Sequence, residues 1–111
     1  MQAKKKTVAL VEPAAGNVDA SFQRSVLTRY AQKHNLTIDW MIGERAPLAG
    51  ASDNVEHRNL INEIKGGGVE RLLILADVRH AVPESVIEAS RASGVEVDFI
   101  DVQQERGLAQ P

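Results

Sequence analysis

The densest group of ionisable side chains in this sequence is Asp77, Arg79 and His80, which directly follows an apolar run. An aspartate beside a histidine can relay a proton, and an arginine can bind a phosphate or carboxylate. No serine, threonine or lysine has an obvious position as their nucleophile. The run therefore indicates either an anion- or ligand-binding turn or, more simply, a turn that satisfies its own hydrogen bonds.

A second candidate group follows the first apolar run, where Glu12 precedes a short loop that ends at Asn17. This loop leads towards a predicted helix, whose free amides would attract an anion. It holds one glycine and has neither a GxGxxG pattern nor a P-loop lysine, which favours an ordinary tight turn. We expect Arg79 to pair with Glu12 or Asp77 rather than to hold an anion. The full set of candidate anion- or ligand-binding residues is Glu12, Asn17, Arg58, Asp77, Arg79 and His80.

The three histidines do not have the spacing of a metal site, since neither HxxxH nor HxH occurs. His57 falls on the apolar stripe of a predicted helix and is interpreted as a packing residue. The absence of cysteine excludes a disulfide framework, a thiolate zinc site and a cysteine nucleophile. No metal and no cofactor is predicted.

Length and composition indicate one globular domain, because 111 residues with 43% apolar and 25% charged side chains suit a single hydrophobic core. The net charge of −2 disfavours electrostatic binding of nucleic acid, so any contact with DNA is expected to be weak for the chain alone. The longest apolar run, residues 72–76, is far too short to span a membrane. We expect a cytoplasmic protein that does not bind membranes.

Apolar runs and helical stripes alternate along the chain. Strands are predicted at residues 7–11, 37–42, 70–76 and 95–101, and helices begin near residues 20, 53 and 84. The order predicts right-handed crossovers and a mainly parallel four-stranded sheet between helices, a three-layer α/β domain of flavodoxin-like topology. The domain is predicted to span residues 7–102, between flexible segments 1–6 and 103–111. Strand two, apolar on one face only, is expected beside strand one and outermost.

Several segments resemble the catalytic domain of serine recombinases, the resolvase and invertase family, over residues 8–102. Residues 20–24 (ASFQR) are similar to the family's Ser-x-x-x-Gln-Arg entry into its first helix. Residues 49–50 and 56–60 (EHRNL) resemble its Ser-Gly and Asp-Arg-x-x-Leu segments. Residues 68–75 (GVERLLIL), 76–79 (ADVR) and 94–97 (GVEV) resemble its third strand, the arginine-rich turn after that strand, and its last strand. The resemblance implies a resolvase-like fold.

The same resemblance implies that the chemistry of the family has been lost. The family ends its first strand with Tyr-x-Arg-x-Ser, whose serine attacks the DNA phosphate. Alignment on Gln23 puts Leu10 at the tyrosine, Glu12 at the arginine and Ala14 at the serine. Val78 stands at the first arginine after strand three, although Arg79 and Arg58 lie near family arginines. The sequence also ends before the family's long dimer helix and DNA-reading module.

These departures predict a catalytically inactive, recombinase-like domain that acts in regulation or assembly through protein contacts, with itself or a related recombinase as its partner. The alternative is a small-ligand or anion-binding sensor or enzyme that uses Asp77, Arg79 and His80. A third interpretation is that the chain is a fragment of a longer protein.

Overall fold

The computed structural model describes residues 5–12, 18–43 and 55–102. The element order is β1 (Lys6–Leu10), α1 (Ala20–Lys33), β2 (Trp40–Ile42), α2 (Val55–Lys65), β3 (Val69–Leu75), a 3₁₀ helix (Ala76–Ala81), α3 (Glu84–Ala92) and β4 (Glu96–Ile100). β1 starts at Lys6, one residue before the predicted domain boundary. β2 is shorter than the predicted strand 37–42, although the Asp39 N–H already donates to the Thr7 carbonyl.

The four strands form one parallel sheet in the order β2-β1-β3-β4, which confirms the predicted α/β fold and the outer position of β2. The chain direction reverses at β1, because β2 lies on one side of β1 and β3 on the other. With right-handed crossovers this reversal places α1 on one face and α2 and α3 on the opposite face. α2 and α3 pack against each other. The sheet is therefore the middle of three layers.

The two central strands form the core, because both of their faces are covered by helices. Val8, Ala9 and Leu10 of β1 and the run Leu72–Leu75 of β3 are fully buried. Leu60 and Ile64 of α2 close one face, and Val26 and Leu27 of α1 close the other. The apolar periodicity of α1 and α2 predicts that these four residues face inward, and all four are buried.

Two predictions for α1 are wrong. Side-chain polarity and helical periodicity predict Gln23 on the outer face of α1 and Phe22 on the inner face, but Gln23 is fully buried and Phe22 is 37% exposed. Asp19 is the N-cap residue, but neither it nor Ser21, already inside the helix, caps the helix with its side chain. The capping residue predicted at Asp53 lies outside the described residues.

Candidate functional site

Gln23 joins helix α1 to the end of β1 through three hydrogen bonds. Its Oε1 accepts from the Glu12 N–H at 2.8 Å, and its Nε2 donates to the Glu12 carbonyl at 3.0 Å. The same Nε2 donates to the Val18 carbonyl at 2.9 Å. An amide side chain is needed here because it both donates and accepts. Gln23 therefore holds the backbone of Glu12 in one position as the chain leaves the sheet.

The side chain of Glu12 forms a buried pair with a residue of α2. Its Oε1 lies 2.6 Å from His57 Nε2, and the carboxylate and imidazole side chains are only 4% and 12% exposed. A carboxylate so deeply buried requires a donor or a positive charge beside it. His57 supplies this partner, a hydrogen bond that the prediction of a half-buried packing residue did not include. The pair spans 45 positions of the sequence.

Gly43 brings the end of β2 against the end of β1. Its φ is +86°, and a Cβ atom added to it would lie 1.8 Å from the Val11 carbonyl oxygen. Only glycine fits this contact and this conformation. The Gly43 N–H donates to the Glu56 carboxylate at the start of α2. Glu56 and His57, consecutive residues of α2, thus bind the ends of β2 and β1 respectively.

The predicted cluster after β3 is at the surface of the domain. Asp77, Arg79 and His80 are exposed on the 3₁₀ helix, whereas Val78 between them is fully buried. The Arg79 guanidinium lies over the ring of Phe99 in β4, 5.3 Å from its centroid. Glu12 is bound to His57, so the predicted pairing of Arg79 with Glu12 is wrong. Arg79 and Phe99 instead form a cation–π contact on the surface.

The remaining candidate residues are Arg58 and Asn17, and Ala14 is the position aligned with the family's serine. Arg58 is exposed on α2, and Asn17 and Ala14 lie outside the described residues. Within residues 5–12, 18–43 and 55–102, no three side chains of the types His, Cys, Asp and Glu are grouped to hold a metal ion. In the same ranges no helix is long and apolar enough to cross a membrane. The described geometry shows Glu12 and Gly43, at the ends of β1 and β2, bound to consecutive residues of α2.

An open groove of about 460 Å³ lies elsewhere, between α1 and β2. Arg24, Thr28 and Gln32 line it from α1, and Ile38, Trp40 and Met41 line it from the chain that enters and forms β2. This groove was not predicted from the sequence, because the general rule for α/β folds points to the carboxyl ends of the strands. The available signal was the composition of α1, which contains no acidic residue.

No protein-family model matches the chain, and no curated protein matches it significantly. Among solved structures, the chain is similar to the C-terminal catalytic domain of ISC1926 TnpA, an IS607-like serine recombinase. The TM-score is 0.63 and the identity 18%, over 93% of this chain and 75% of the other. At 18% identity, this similarity shows a shared fold and no more. The chain has the α/β fold of a serine recombinase catalytic domain.

Proposed function

We propose that this chain is a recombinase-like domain that does not cut DNA and acts through protein contacts in a DNA-recombination or mobile-element setting. The observation that carries the proposal is the buried pair of Glu12 and His57, at the place where the resemblance assigns the family's arginine. The fold shared with an IS607-like serine recombinase supports the recombination setting.

Phosphoryl transfer needs a nucleophile and positive charge around the phosphate. In the alignment on Gln23, Ala14 stands at the position of the nucleophilic serine, and Glu12 stands at the position of the family's arginine. A carboxylate about 4 Å from a phosphate oxygen raises the energy of the pair by about 4 kcal/mol at an effective dielectric constant of about 20. His57 offsets part of that repulsion, but its Nε2 is already bound to the Glu12 carboxylate.

The proposal predicts that the purified chain neither nicks nor relaxes a supercoiled plasmid and forms no covalent protein–DNA adduct. An active serine recombinase on a plasmid with its own sites is the positive control. Ser21, exposed in the first turn of α1, is the hydroxyl that most directly challenges this expectation. An adduct that forms with the native chain and disappears in Ser21→Ala would show that the domain is an enzyme.

The protein-contact half of the proposal needs a separate measurement. Analytical ultracentrifugation of the chain, alone and mixed with the catalytic domain of an IS607-like serine recombinase, should reveal either self-association or a mixed complex at micromolar concentration. Sedimentation as a monomer in both samples, up to about 100 μM, would contradict the partner assignment without affecting the statement about cleavage.

The alternative, a ligand or anion sensor at Asp77, Arg79 and His80, has less support. The three side chains are exposed, and Arg79 already contacts Phe99. A melting-temperature rise with sulfate that Arg79→Ala abolishes would favour this alternative over the proposal.

A further inference from the structure

The positive charge of this chain is unevenly distributed. Helix α1 carries three of the 13 lysines and arginines, namely Arg24, Arg29 and Lys33, and none of the 15 aspartates and glutamates. The rest of the chain therefore has a formal charge of −5, against −2 for the whole. All three cations are exposed. A single-signed helix on an otherwise acidic domain favours a partner with locally opposite charge.

This charged helix forms one wall of the groove between α1 and β2. Arg24 and Thr28 line the groove, and Arg24 also lines a shallower depression on the outer side of α1 together with Arg29. The opposite wall is formed by the half-buried apolar residues Ile38, Trp40 and Met41, and by Asp39, whose carboxylate accepts a hydrogen bond from the Thr7 N–H. The groove thus offers the Arg24 guanidinium and an aromatic surface within one volume of about 460 Å³.

The groove also lies beside a sheet edge. β2 is the last strand in the order β2-β1-β3-β4, and no strand pairs with its outer side in the part of the chain that the structure describes. The extended backbone there begins before β2 itself, since the Asp39 N–H already bonds to Thr7. An outer sheet edge presents backbone donors and acceptors that can pair with another extended chain.

We propose that an extended segment of a partner protein binds here as an additional strand beside β2, with an apolar side chain against Trp40 and an acidic side chain at Arg24. Addition of a strand combines backbone hydrogen bonds with contacts from alternate side chains. The inference rests on the proposed function, in that it identifies the surface through which protein contacts are made. It commits to a peptide rather than nucleic acid because the net negative charge repels a long polyanion, whereas α1 can bind a short acidic segment.

The chain contains a single tryptophan, Trp40, and it lies in the groove. Its emission therefore reports occupancy directly. The probe is a synthetic seven-residue peptide that alternates glutamate and valine, titrated into the native full-length chain. We expect a saturable change in Trp40 emission that weakens as the salt concentration rises.

Three further probes test the chemistry of the ligand. A peptide with lysine in place of glutamate should bind at least about tenfold more weakly, since it loses charge-assisted hydrogen bonds. A glutamate–valine peptide with N-methylated backbone should also fail to bind, because it cannot pair with a strand edge. A single-stranded oligothymidylate should leave the emission unchanged.

Matched variants locate the site. Arg24→Glu and Thr28→Glu each place negative charge in the groove and should weaken binding of the glutamate peptide about tenfold. Arg91→Glu, an exposed position on α3, makes the same charge change away from the groove and should leave binding unchanged. Thr28→Glu keeps the test valid if Arg24→Glu destabilises α1, and circular dichroism verifies the fold of each variant.

No emission change with the glutamate peptide, equal binding of the lysine or N-methylated peptide, or preferential binding of the oligonucleotide would each overturn the inference. The titration requires no recombinase, so its outcome is independent of the ultracentrifugation experiment. The chain could associate with itself or a recombinase without any weakening of that association by Arg24→Glu or Thr28→Glu. That result would support protein contacts as the function and show that they are not made through the groove between α1 and β2.

Discussion

A carboxylate buried at the end of a β-strand needs a neighbouring side chain that donates a hydrogen bond or carries a positive charge. Glu12 is 3% exposed overall, so its charge has little contact with water and depends on His57 at 2.6 Å. Breaking such a pair from one side leaves an uncompensated buried group, whereas replacing both partners with apolar residues often costs little. The pair therefore makes the two residues dependent on each other, whatever its net contribution to stability.

This dependence predicts that substitutions of Glu12 and His57 have non-additive effects on stability. His57→Leu alone should lower the free energy of unfolding by about 3 kcal/mol, because it leaves the Glu12 carboxylate buried without its partner. The double variant Glu12→Leu with His57→Leu should recover much of that loss. Urea unfolding followed by circular dichroism measures all members of the cycle. Additive effects of the two single substitutions would mean that the pair is not coupled.

Gly43 and Gly67 allow the effect of close packing to be separated from that of backbone conformation. Both have φ above +80°, but a Cβ at Gly43 would overlap the Val11 carbonyl, whereas a Cβ at Gly67 meets nothing within 4 Å. Gly67→Ala should cost about 1 kcal/mol, the price of the left-handed conformation. Gly43→Ala should cost about 3 kcal/mol or more, since backbone must also move. Equal melting temperatures for the two variants would contradict the proximity of β1 and β2 at this point.

Sequence patterns were informative about burial but less so about polar contacts. Glu12 and His57 are far apart in the sequence and meet only because α2 starts beside the end of β1. Periodicity places His57 on the inner face of its helix but cannot identify a carboxylate opposite it. For Arg79 an acidic partner was predicted, but its guanidinium lies over the exposed ring of Phe99 in β4, which no pattern in the sequence indicates.

The elements themselves follow from physical rules that act locally. Unbroken apolar runs in β1 and β3 predicted central strands, and the one-faced pattern of β2 predicted an outer one. The structure has this order. The inner face of α1 was harder to predict, because polarity alone places Gln23 outside and Phe22 inside. Only the free backbone groups of Glu12 and Val18 explain why an amide is buried there.

Gln23 therefore provides the test at the level of the elements. Gln23→Glu keeps the size of the side chain but replaces the amide donor with an acceptor, which faces two carbonyls and carries a buried charge. We expect a loss of about 3 kcal/mol in the free energy of unfolding. Gln32→Glu, the same change at an exposed position of α1, should alter stability by no more than about 0.5 kcal/mol. If the two variants unfold at the same urea concentration, the packing of α1 does not depend on Gln23.

Ion pairs join β3 to β4 at the opposite end of the sheet from Glu12. The Arg71 guanidinium binds Asp98 and Glu96, each at 2.6 Å. The hydrogen bond to Asp98 raises the pKa of Arg71 above its ordinary value, and burial opposes this only in part. A raised pKa in the folded state means that the contribution of the arginine is complete at neutral pH and is lost only in strong alkali. β4, an edge strand rich in carboxylates, is thereby bound to the core.

At the scale of the whole molecule, the ends of β1 and β2 are joined to α2, through Glu12 with His57 and Gly43 with Glu56, at the side of the sheet that carries chemistry in many α/β folds. The exposed features include the groove between α1 and β2 and the 3₁₀ helix after β3. Glu12, Gln23 and Gly43 are buried and support the fold, whereas Arg24 and Thr28 are exposed on α1.

The predicted domain boundary gives the last test. Val102 is 8% exposed and belongs to the core, whereas residues 103–111 are polar and lack periodicity. Removal of residues 103–111 should therefore change the melting temperature by no more than about 2 °C, because few apolar contacts are expected from such a segment. Removal of residues 96–111 also deletes β4, exposes the edge of β3 and should prevent cooperative unfolding. Calorimetry of the two shortened chains beside the full chain distinguishes these outcomes. A fall of more than about 5 °C on removing 103–111 would place part of that segment against the core and extend the domain beyond residue 102.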